Sequence, residues 1–291
     1  MIAGEQENRT GGEIRPFSFM PIDLSSRRPL IMGIVNVTPD SFSDGGKYLA
    51  PDAAVAHAIT LINEGAELLD IGGESTRPGA APASLDDELA RVLPVIEALV
   101  KSHPQVPLSI DTQKTEVMRA AIQAGALMVN DVNALQADDA MAVCARAGVM
   151  VCLMHRRGTP VSMQAAPHYA DVVGEVKTFL LERAAACEAA GLAREQIVID
   201  PGIGFGKTLE HNLALLRATA EFAATGYAIM IGASRKSMFQ ALLNRAVDDR
   251  LMPSVLTAVH AAQHGAAILR VHDVRETRDA LRLWQGLASQ Q

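Results

Sequence analysis

Eight polar or charged residues recur at one kind of place in this sequence, at the end of a short apolar segment. They are Asn36, Asp111, Asn130, His155, Asp200, Lys236, Arg270 and His272. Carboxylates and amides can form paired hydrogen bonds with the edge of a flat polar ring, whereas lysine, arginine and histidine can bind phosphate. Each such group left unpaired in the interior would cost about 1 to 3 kcal/mol. We therefore expect a polar ligand between them if they converge.

The apolar segments predict the strands that position these residues. Leu30 to Val35 is almost uninterruptedly apolar, as expected of a parallel strand covered on both faces. Seven similar segments follow, separated by stretches of helical periodicity, at 67–71, 106–110, 127–129, 149–154, 197–199, 228–231 and 267–269. Eight βα units in about 260 residues match a single closed (β/α)8 barrel better than an open sheet. The polar residues would then lie at the carboxyl ends of the strands, where barrel enzymes have their active sites.

Composition limits the possible partners and compartments. A net charge of -7 in 291 residues argues against general affinity for nucleic acid or an anionic membrane. The three cysteines, Cys144, Cys152 and Cys187, have neither metal-ligand spacing nor a disulfide pattern, so we expect a cytoplasmic protein. We expect residues 1–29 to form a flexible N-terminal arm and residues 30–291 to form the barrel domain.

A glycine-rich segment, Pro201 to Thr208, nearly matches a nucleotide-binding loop. A P-loop would need a glycine where Pro201 stands, and Lys207 takes the last place of the pattern G-x-G-x-x-G. We expect the glycines instead to let the backbone approach a flat ligand held by Asp200, with Phe205 as an apolar wall. Lys207 is expected to be solvated.

Several long motifs, in this order along the chain, resemble those of the dihydropteroate synthase family. The longest are Asn36–Gly46, Asp70–Gly79, Asp200–Lys207 and Ser234–Ser237, and shorter ones include Ser109–Thr112, Val129–Asp131, Met154–His155 and Arg270–Asp273. The resemblance spans residues 30 to 285, about the whole predicted barrel. Arg156 departs from the family pattern, and residues 1–29 have no counterpart in it.

The resemblance implies an enzyme of folate biosynthesis that joins para-aminobenzoate to (7,8-dihydropterin-6-yl)methyl diphosphate, giving 7,8-dihydropteroate and diphosphate. In this family Asp200 would accept hydrogen bonds from the amino-pyrimidinone edge of the pterin, and Lys236 would meet its acceptor-rich edge. The remaining pterin-binding residues would be Asp111, Asn130, Met154 and Phe205.

For the diphosphate, the resemblance implies binding by Arg270 and His272, two residues apart on one strand end, and by Thr76 and Arg77 from the loop after the second strand. It also implies a Mg2+ ion held by the side-chain oxygen of Asn36 and by the diphosphate, with water completing the octahedron.

For the aminobenzoate, the resemblance implies a pocket formed by Phe42, Thr76, Pro78, Ser234 and Lys236. Sulfonamides, which mimic aminobenzoate, would occupy the same pocket. The catalytic group would comprise Asp44, Lys236, Arg270 and His272. The loops that carry Phe42, Asp44, Thr76 and Pro78 are rich in glycine and proline and poor in apolar anchors, so we expect aminobenzoate to bind only after the diphosphate substrate.

Two other functions remain open at this point. A pterin-binding methyltransferase could use the same barrel to hold methyltetrahydrofolate, but it should lack the diphosphate-binding residues and the two long loops. A non-catalytic paralogue would bind pterin without turnover, and we would expect it to have lost Arg270 or a loop motif. The resemblance also implies a homodimer.

Overall fold

Eight parallel strands close into a barrel in the order β1 to β8, in the computed structural model that describes residues 22–24, 28–38, 50–75, 81–158 and 167–288. The strands are β1 (Leu30–Asn36), β2 (Leu68–Gly72), β3 (Leu108–Asp111), β4 (Met128–Asp131), β5 (Met150–Met154), β6 (Ile197–Asp200), β7 (Ala228–Ile231) and β8 (Ile268–Val271). Each strand pairs in parallel with the next, and β8 pairs with β1. The predicted (β/α)8 barrel is confirmed.

Ten α-helices surround the strands in the described part of the chain. They are α1 (Ala50–Glu64), α2 (Leu85–Ser102), α3 (Thr115–Ala124), α4 (Ala140–Ala147), α5 (Val172–Ala189), α6 (Leu209–Arg217), α7 (Thr219–Ala223), α8 (Met238–Leu243), α9 (Leu251–Gln263) and α10 (Val274–Ala288). None of these helices has the length and apolar character needed to cross a membrane.

One predicted helix is divided in the structure. The sequence predicts a single helix from Glu210 to Ala224, whereas α6 and α7 meet at Ala218. There the Thr219 hydroxyl donates a hydrogen bond of 2.8 Å to the carbonyl oxygen of Leu216. Such side-chain bonds to nearby backbone compete with the helical pattern, which explains a break that periodicity does not show.

Several strands also extend further than the apolar pattern predicts. Asn36, Asp111 and Asp200 are the last residues of their strands, and β4 continues through Asn130 to Asp131. Strand pairing uses backbone N–H and C=O groups, so a polar side chain does not end it when that side chain has polar partners. The side chains that we predicted to follow the strands are thus fixed by the sheet itself.

A layer of buried apolar side chains supports the site from below. It consists of Met32, Leu68, Met128, Met150, Cys152, Val198, Met230 and Ile268, and Ile22 and Leu24 pack against it. Nearby, Arg28 forms an ion pair of 2.5 Å with Glu67. Part of segment 1–29 therefore contacts the barrel. Most of that segment lies outside the described residues, and its flexibility stays a prediction.

Candidate active site

Arg270 of β8 is held between two carboxylates from other strands. Its Nε donates to Asp70 Oδ2 at 2.6 Å and its Nη2 donates to Asp111 Oδ2 at 2.7 Å. Asn130 Nδ2 donates to the same Asp70 oxygen at 2.9 Å. The cluster joins β2, β3, β4 and β8. Three of the predicted site residues, Asp111, Asn130 and Arg270, are thus brought together, and the residue that links Asn130 to Arg270 is Asp70.

In this cluster one guanidinium faces two carboxylates. Burial raises the pKa of Asp111 to about 7, against the opposing effect of Arg270. Burial lowers the pKa of Arg270, but Asp70 and Asp111 outweigh it and raise that pKa above its usual value. Arg270 is therefore always charged. Among the described residues its Nη1 has no hydrogen-bond partner, so this nitrogen is available to a ligand.

Asp70 was not among the site residues that the sequence analysis selected. It is fully buried in the otherwise apolar segment Leu68–Gly72. A carboxylate in a buried strand requires a charged or polar partner, and that signal could have identified it from the sequence. Within the described residues, Asp70 Oδ1 and the hydroxyl of Ser109, its register partner on β3, are buried without a hydrogen-bond partner.

Asp200 lies at the end of β6, with one oxygen held by the backbone of the following loop and the other near Gly232. The backbone N–H of Gly202 donates to its Oδ1 at 2.7 Å, and Met154 is its register partner on β5. A Cβ atom at Gly232 would lie 3.9 Å from Asp200 Oδ2 and 3.8 Å from Arg270 Cβ. The lack of a side chain at Gly232 therefore keeps this position between Asp200 Oδ2 and the Arg270 side chain clear. Burial raises the pKa of Asp200.

Lys236 lies against the predicted apolar wall. Its Nζ is 4.1 Å from the centroid of the Phe205 ring, a cation–π distance. Burial lowers the pKa of Lys236 to about 8, and Arg270 lowers it further, whereas Asp200 and Asp111 raise it. The two predicted pterin-binding residues thus form one surface, with an amine that can donate hydrogen bonds.

Ser234 and His272, predicted for different parts of the site, are in contact. The Ser234 hydroxyl lies 3.0 Å from His272 Nδ1 and accepts a hydrogen bond from the His272 backbone N–H. Burial, followed by the charge of Arg270, lowers the pKa of His272 to about 3. His272 is therefore neutral at pH 7. Of the two residues predicted to bind the diphosphate from β8 and its end, His272 and Arg270, only Arg270 is positively charged. The adjacent Arg235 forms an ion pair of 2.5 Å with Asp273, which anchors the loop of Ser234.

A polar network fixes the beginning of the loop after β2. Lys114 forms ion pairs with Glu74 and with the fully buried Glu88, and Gln113 Nε2 donates to Glu74 at 3.0 Å. Arg156, the residue that departs from the family pattern, donates to Gln113 at 3.0 Å. Arg156 thus links the loop after β5 to this network.

Asn36 ends β1 beside Gly72 and is half-buried. In the described part of the chain its amide oxygen has no hydrogen-bond partner, and no three His, Cys, Asp or Glu side chains form a metal-binding group. Amide oxygen is a hard ligand that suits Mg2+, an ion that often keeps water and substrate phosphate as its other ligands. The amide oxygen of Asn36 therefore fits a magnesium ion whose other ligands would be diphosphate oxygens and water.

Five predicted residues lie outside the described part of the chain. They are Phe42, Asp44, Thr76, Arg77 and Pro78. Their roles stay predictions.

Comparison with known proteins gives one family. A family described as "Pterin binding enzyme" matches residues 32–272. The dihydropteroate synthase of Escherichia coli K12 is 48% identical over 268 residues, covering 92% of this chain and 94% of its own. The structure of Xanthomonas albilineans dihydropteroate synthase with 4-aminobenzoic acid is 50% identical, with a TM-score of 0.86 over 91% of this chain and 94% of that one. The same enzyme in complex with 7,8-dihydropteroate gives 47% identity and a TM-score of 0.84 over 92% of this chain and 96% of that one. Since the match covers the barrel and all the strand ends that carry the site, this chain belongs to the dihydropteroate synthase family of pterin-binding enzymes.

Proposed function

We propose that this chain catalyses the condensation of para-aminobenzoate with (7,8-dihydropterin-6-yl)methyl diphosphate to 7,8-dihydropteroate and diphosphate. The observation that carries the proposal is the arrangement of Asp200, Gly232 and Arg270, in which a buried carboxylate and a half-buried guanidinium lie on either side of a position that Gly232 keeps free of a side chain. The Asp200 carboxylate can accept hydrogen bonds from the polar edge of a pterin ring, and the Arg270 guanidinium can donate to a diphosphate at the other end of the substrate. The family relationship supports the same reaction.

In this assignment Asp200 accepts two N–H groups from the amino-pyrimidinone edge of the pterin. Its Oδ1 is already oriented by Gly202, so little reorganisation accompanies binding. Lys236 donates to the ring from the side of Phe205, and Met154 packs on the ring face. Asp111 and Asn130 complete the slot through the cluster that they form with Arg270 and Asp70.

The chemical step displaces diphosphate from a methylene group whose pterin ring can delocalise positive charge. We propose a dissociative path, because the ring can stabilise the developing cation and the aromatic amine, already neutral at pH 7, needs no strong base. Arg270 Nη1 stabilises the charge that develops on the leaving diphosphate, and His272 adds a neutral hydrogen bond. Magnesium, when bound at Asn36, neutralises further charge on the diphosphate. Sulfonamides would compete with aminobenzoate for the pocket beside Ser234 and Lys236.

A coupled assay for diphosphate release tests the reaction directly. The full chain should release diphosphate only when Mg2+, the pterin diphosphate and aminobenzoate are all present. Methyl transfer from methyltetrahydrofolate without diphosphate release would favour the methyltransferase, and pterin binding without either reaction would favour the non-catalytic paralogue. The variant Asp200→Asn serves as a control for turnover at this site.

We also propose that the protein is a homodimer. Six large apolar side chains of α8, α9 and their connection are 41% to 64% exposed, namely Leu242, Leu243, Val247, Leu251, Met252 and Leu256. A concentrated apolar surface of this kind is typical of a subunit interface. Light scattering should give a dimer for the native chain and a monomer for Leu256→Glu, whereas Leu287→Glu on α10, where the side chain is 76% exposed, should leave the dimer intact.

A cytoplasmic location is part of the same proposal. All three cysteines are free and buried, which suits a reducing compartment.

A further inference from the structure

Lys207 is buried, contrary to the expectation that it would be solvated. Only 3% of it is exposed. Its Nζ lies 3.0 Å from the carbonyl oxygen of Phe205, 3.2 Å from that of His155 and 3.1 Å from His155 Nδ1. The amine therefore connects the loop after β6 to the loop after β5.

The two loops approach each other backbone to backbone. A Cβ atom at Gly202 would lie 1.9 Å from the His155 carbonyl oxygen, and one at Gly206 would lie 2.2 Å from that of Arg157. Both glycines also have φ in the left-handed region, at 69° and 65°. Only glycine allows this approach, and the carbonyl oxygen of the buried His155 then needs a donor. Lys207 provides the donor for the carbonyl oxygen of His155 and a second donor for that of Phe205.

The charge state of Lys207 suits these partners. Burial lowers its pKa to about 7, Asp200 raises it, and Lys236 and Arg157 lower it further. Burial, with Lys207 and Arg157, lowers the pKa of His155 to about 3, so the imidazole is neutral. A neutral amine has two N–H donors and one lone pair, which match two carbonyl oxygens and an imidazole N–H. A protonated amine would match the imidazole in its other tautomer.

The loop that Lys207 fixes carries two parts of the site. Phe205, whose carbonyl accepts from Lys207, lies under the amine of Lys236. Gly202, at the start of the same loop, orients Asp200. On the other side, His155 directly follows Met154, the register partner of Asp200. Displacement of the Lys207 amine would thus shift the ring wall relative to the carboxylate.

We propose that Lys207 is a positioning residue, which acts on the substrate through Phe205 and Lys236 by fixing the loop after β6 against the loop after β5. The inference rests on the proposed function for the identity of the ligand. It gives a role to the one residue of the glycine-rich segment that resembles a phosphate-binding lysine.

The test compares Lys207→Met with the native chain by calorimetric titration of a pterin, at a temperature where circular dichroism shows both to be folded. We expect the Kd of the folded Lys207→Met variant to rise about tenfold, as for loss of buried hydrogen bonds that orient a binding residue. A purely structural role would lower Tm and leave Kd unchanged, which would overturn the proposal. Lys207→Gln, which keeps two N–H donors, should recover part of the affinity and is measured in the same way.

A double-mutant cycle with Phe205→Leu separates action through Phe205 from an independent effect. If Lys207 acts through the ring wall, the double variant should bind pterin no more weakly than the weaker single variant, whereas additive losses would overturn the proposal. Lys177→Met, which removes a lysine of α5 that pairs with Glu221 at 3.6 Å, is the matched control and should bind as the native chain does. Failure of the proposed function would appear in the native chain as absent diphosphate release. Failure of this inference would appear only in the Lys207 variants.

Discussion

Asp70 and Arg270 are 200 positions apart in the chain, yet Asp70 Oδ2 accepts the Nε–H of Arg270 at 2.6 Å. The same oxygen accepts from Asn130, a residue assigned to the pterin slot. One buried oxygen atom therefore aligns the amide that we assign to the pterin with the guanidinium that we assign to the diphosphate. We therefore predict that Asp70 acts as a positioning residue, through Asn130 for the pterin and through Arg270 for the diphosphate.

Asp70→Asn should keep the fold but release Arg270 from one of its two carboxylates. We expect the KM for the pterin diphosphate to rise about 10- to 100-fold, because the lost bond is charge-assisted. Steady-state kinetics would measure it. Asp279→Asn, which alters the surface pair of Asp279 with Arg278 at 3.0 Å, should change neither KM nor kcat by more than about twofold. Equal effects of the two substitutions would contradict the role of Asp70.

Asp200→Asn should weaken pterin binding by about 1.5 to 3 kcal/mol, because an amide presents a donor to the donors of the ring. Calorimetric titration of a pterin without a diphosphate isolates this contact. An unchanged Kd would place the pterin edge elsewhere.

Arg270→Ala should weaken the diphosphate substrate much more than 6-hydroxymethyl-dihydropterin, since only the former carries the charge that Arg270 meets. His272→Ala should have a smaller effect, about tenfold or less, because the pKa of about 3 makes His272 a neutral donor. For the same reason, diphosphate affinity should show no titration of His272 between pH 6 and 8. Similar losses for both ligands in Arg270→Ala would remove Arg270 from the diphosphate site.

Stability should depend on pH through Lys207. Its pKa is lowered from 10.5 to about 7 in the folded protein, so between these values the unfolded chain binds more protons than the folded one. Burial of the charged amine therefore lowers the free energy of unfolding most below about pH 7, and this penalty is relieved as pH rises toward 10.5. We expect Lys207→Met to reduce the slope by up to about 1.4 kcal/mol per pH unit in urea unfolding between pH 7.5 and 9.5. If the free energy of unfolding depended on pH with the same slope in Lys207→Met and Lys177→Met, the lowered pKa of Lys207 would be contradicted.

The sequence alone was sufficient to predict the barrel, because eight apolar segments and their polar ends repeat with one spacing. It also predicted that Asp111, Asn130, Asp200, Lys236 and Arg270 lie at one end of the barrel, since strand ends must meet at one face of a closed sheet, whereas their roles in binding stay predictions. The partners of these residues were harder to predict. Periodicity places Asp70 in a buried strand but does not show which cation it pairs with. Lys207 was expected to be solvated because a backbone acceptor of its amine, the His155 carbonyl, belongs to another loop, and the local sequence gives no sign of it. Contacts across the barrel depend on register and tilt, which no local pattern contains.

The close approach at Gly202 and Gly206 has a consequence for inhibitor design. Any residue other than glycine at either position would place its Cβ about 2 Å from a backbone oxygen of the neighbouring loop. A backbone oxygen cannot move aside as the end of a flexible side chain can. The protein therefore cannot change this stretch of backbone by a single substitution and keep the loops together. A compound that takes its affinity from that backbone, rather than from side chains at the edge of the pocket, would leave the enzyme few routes to resistance.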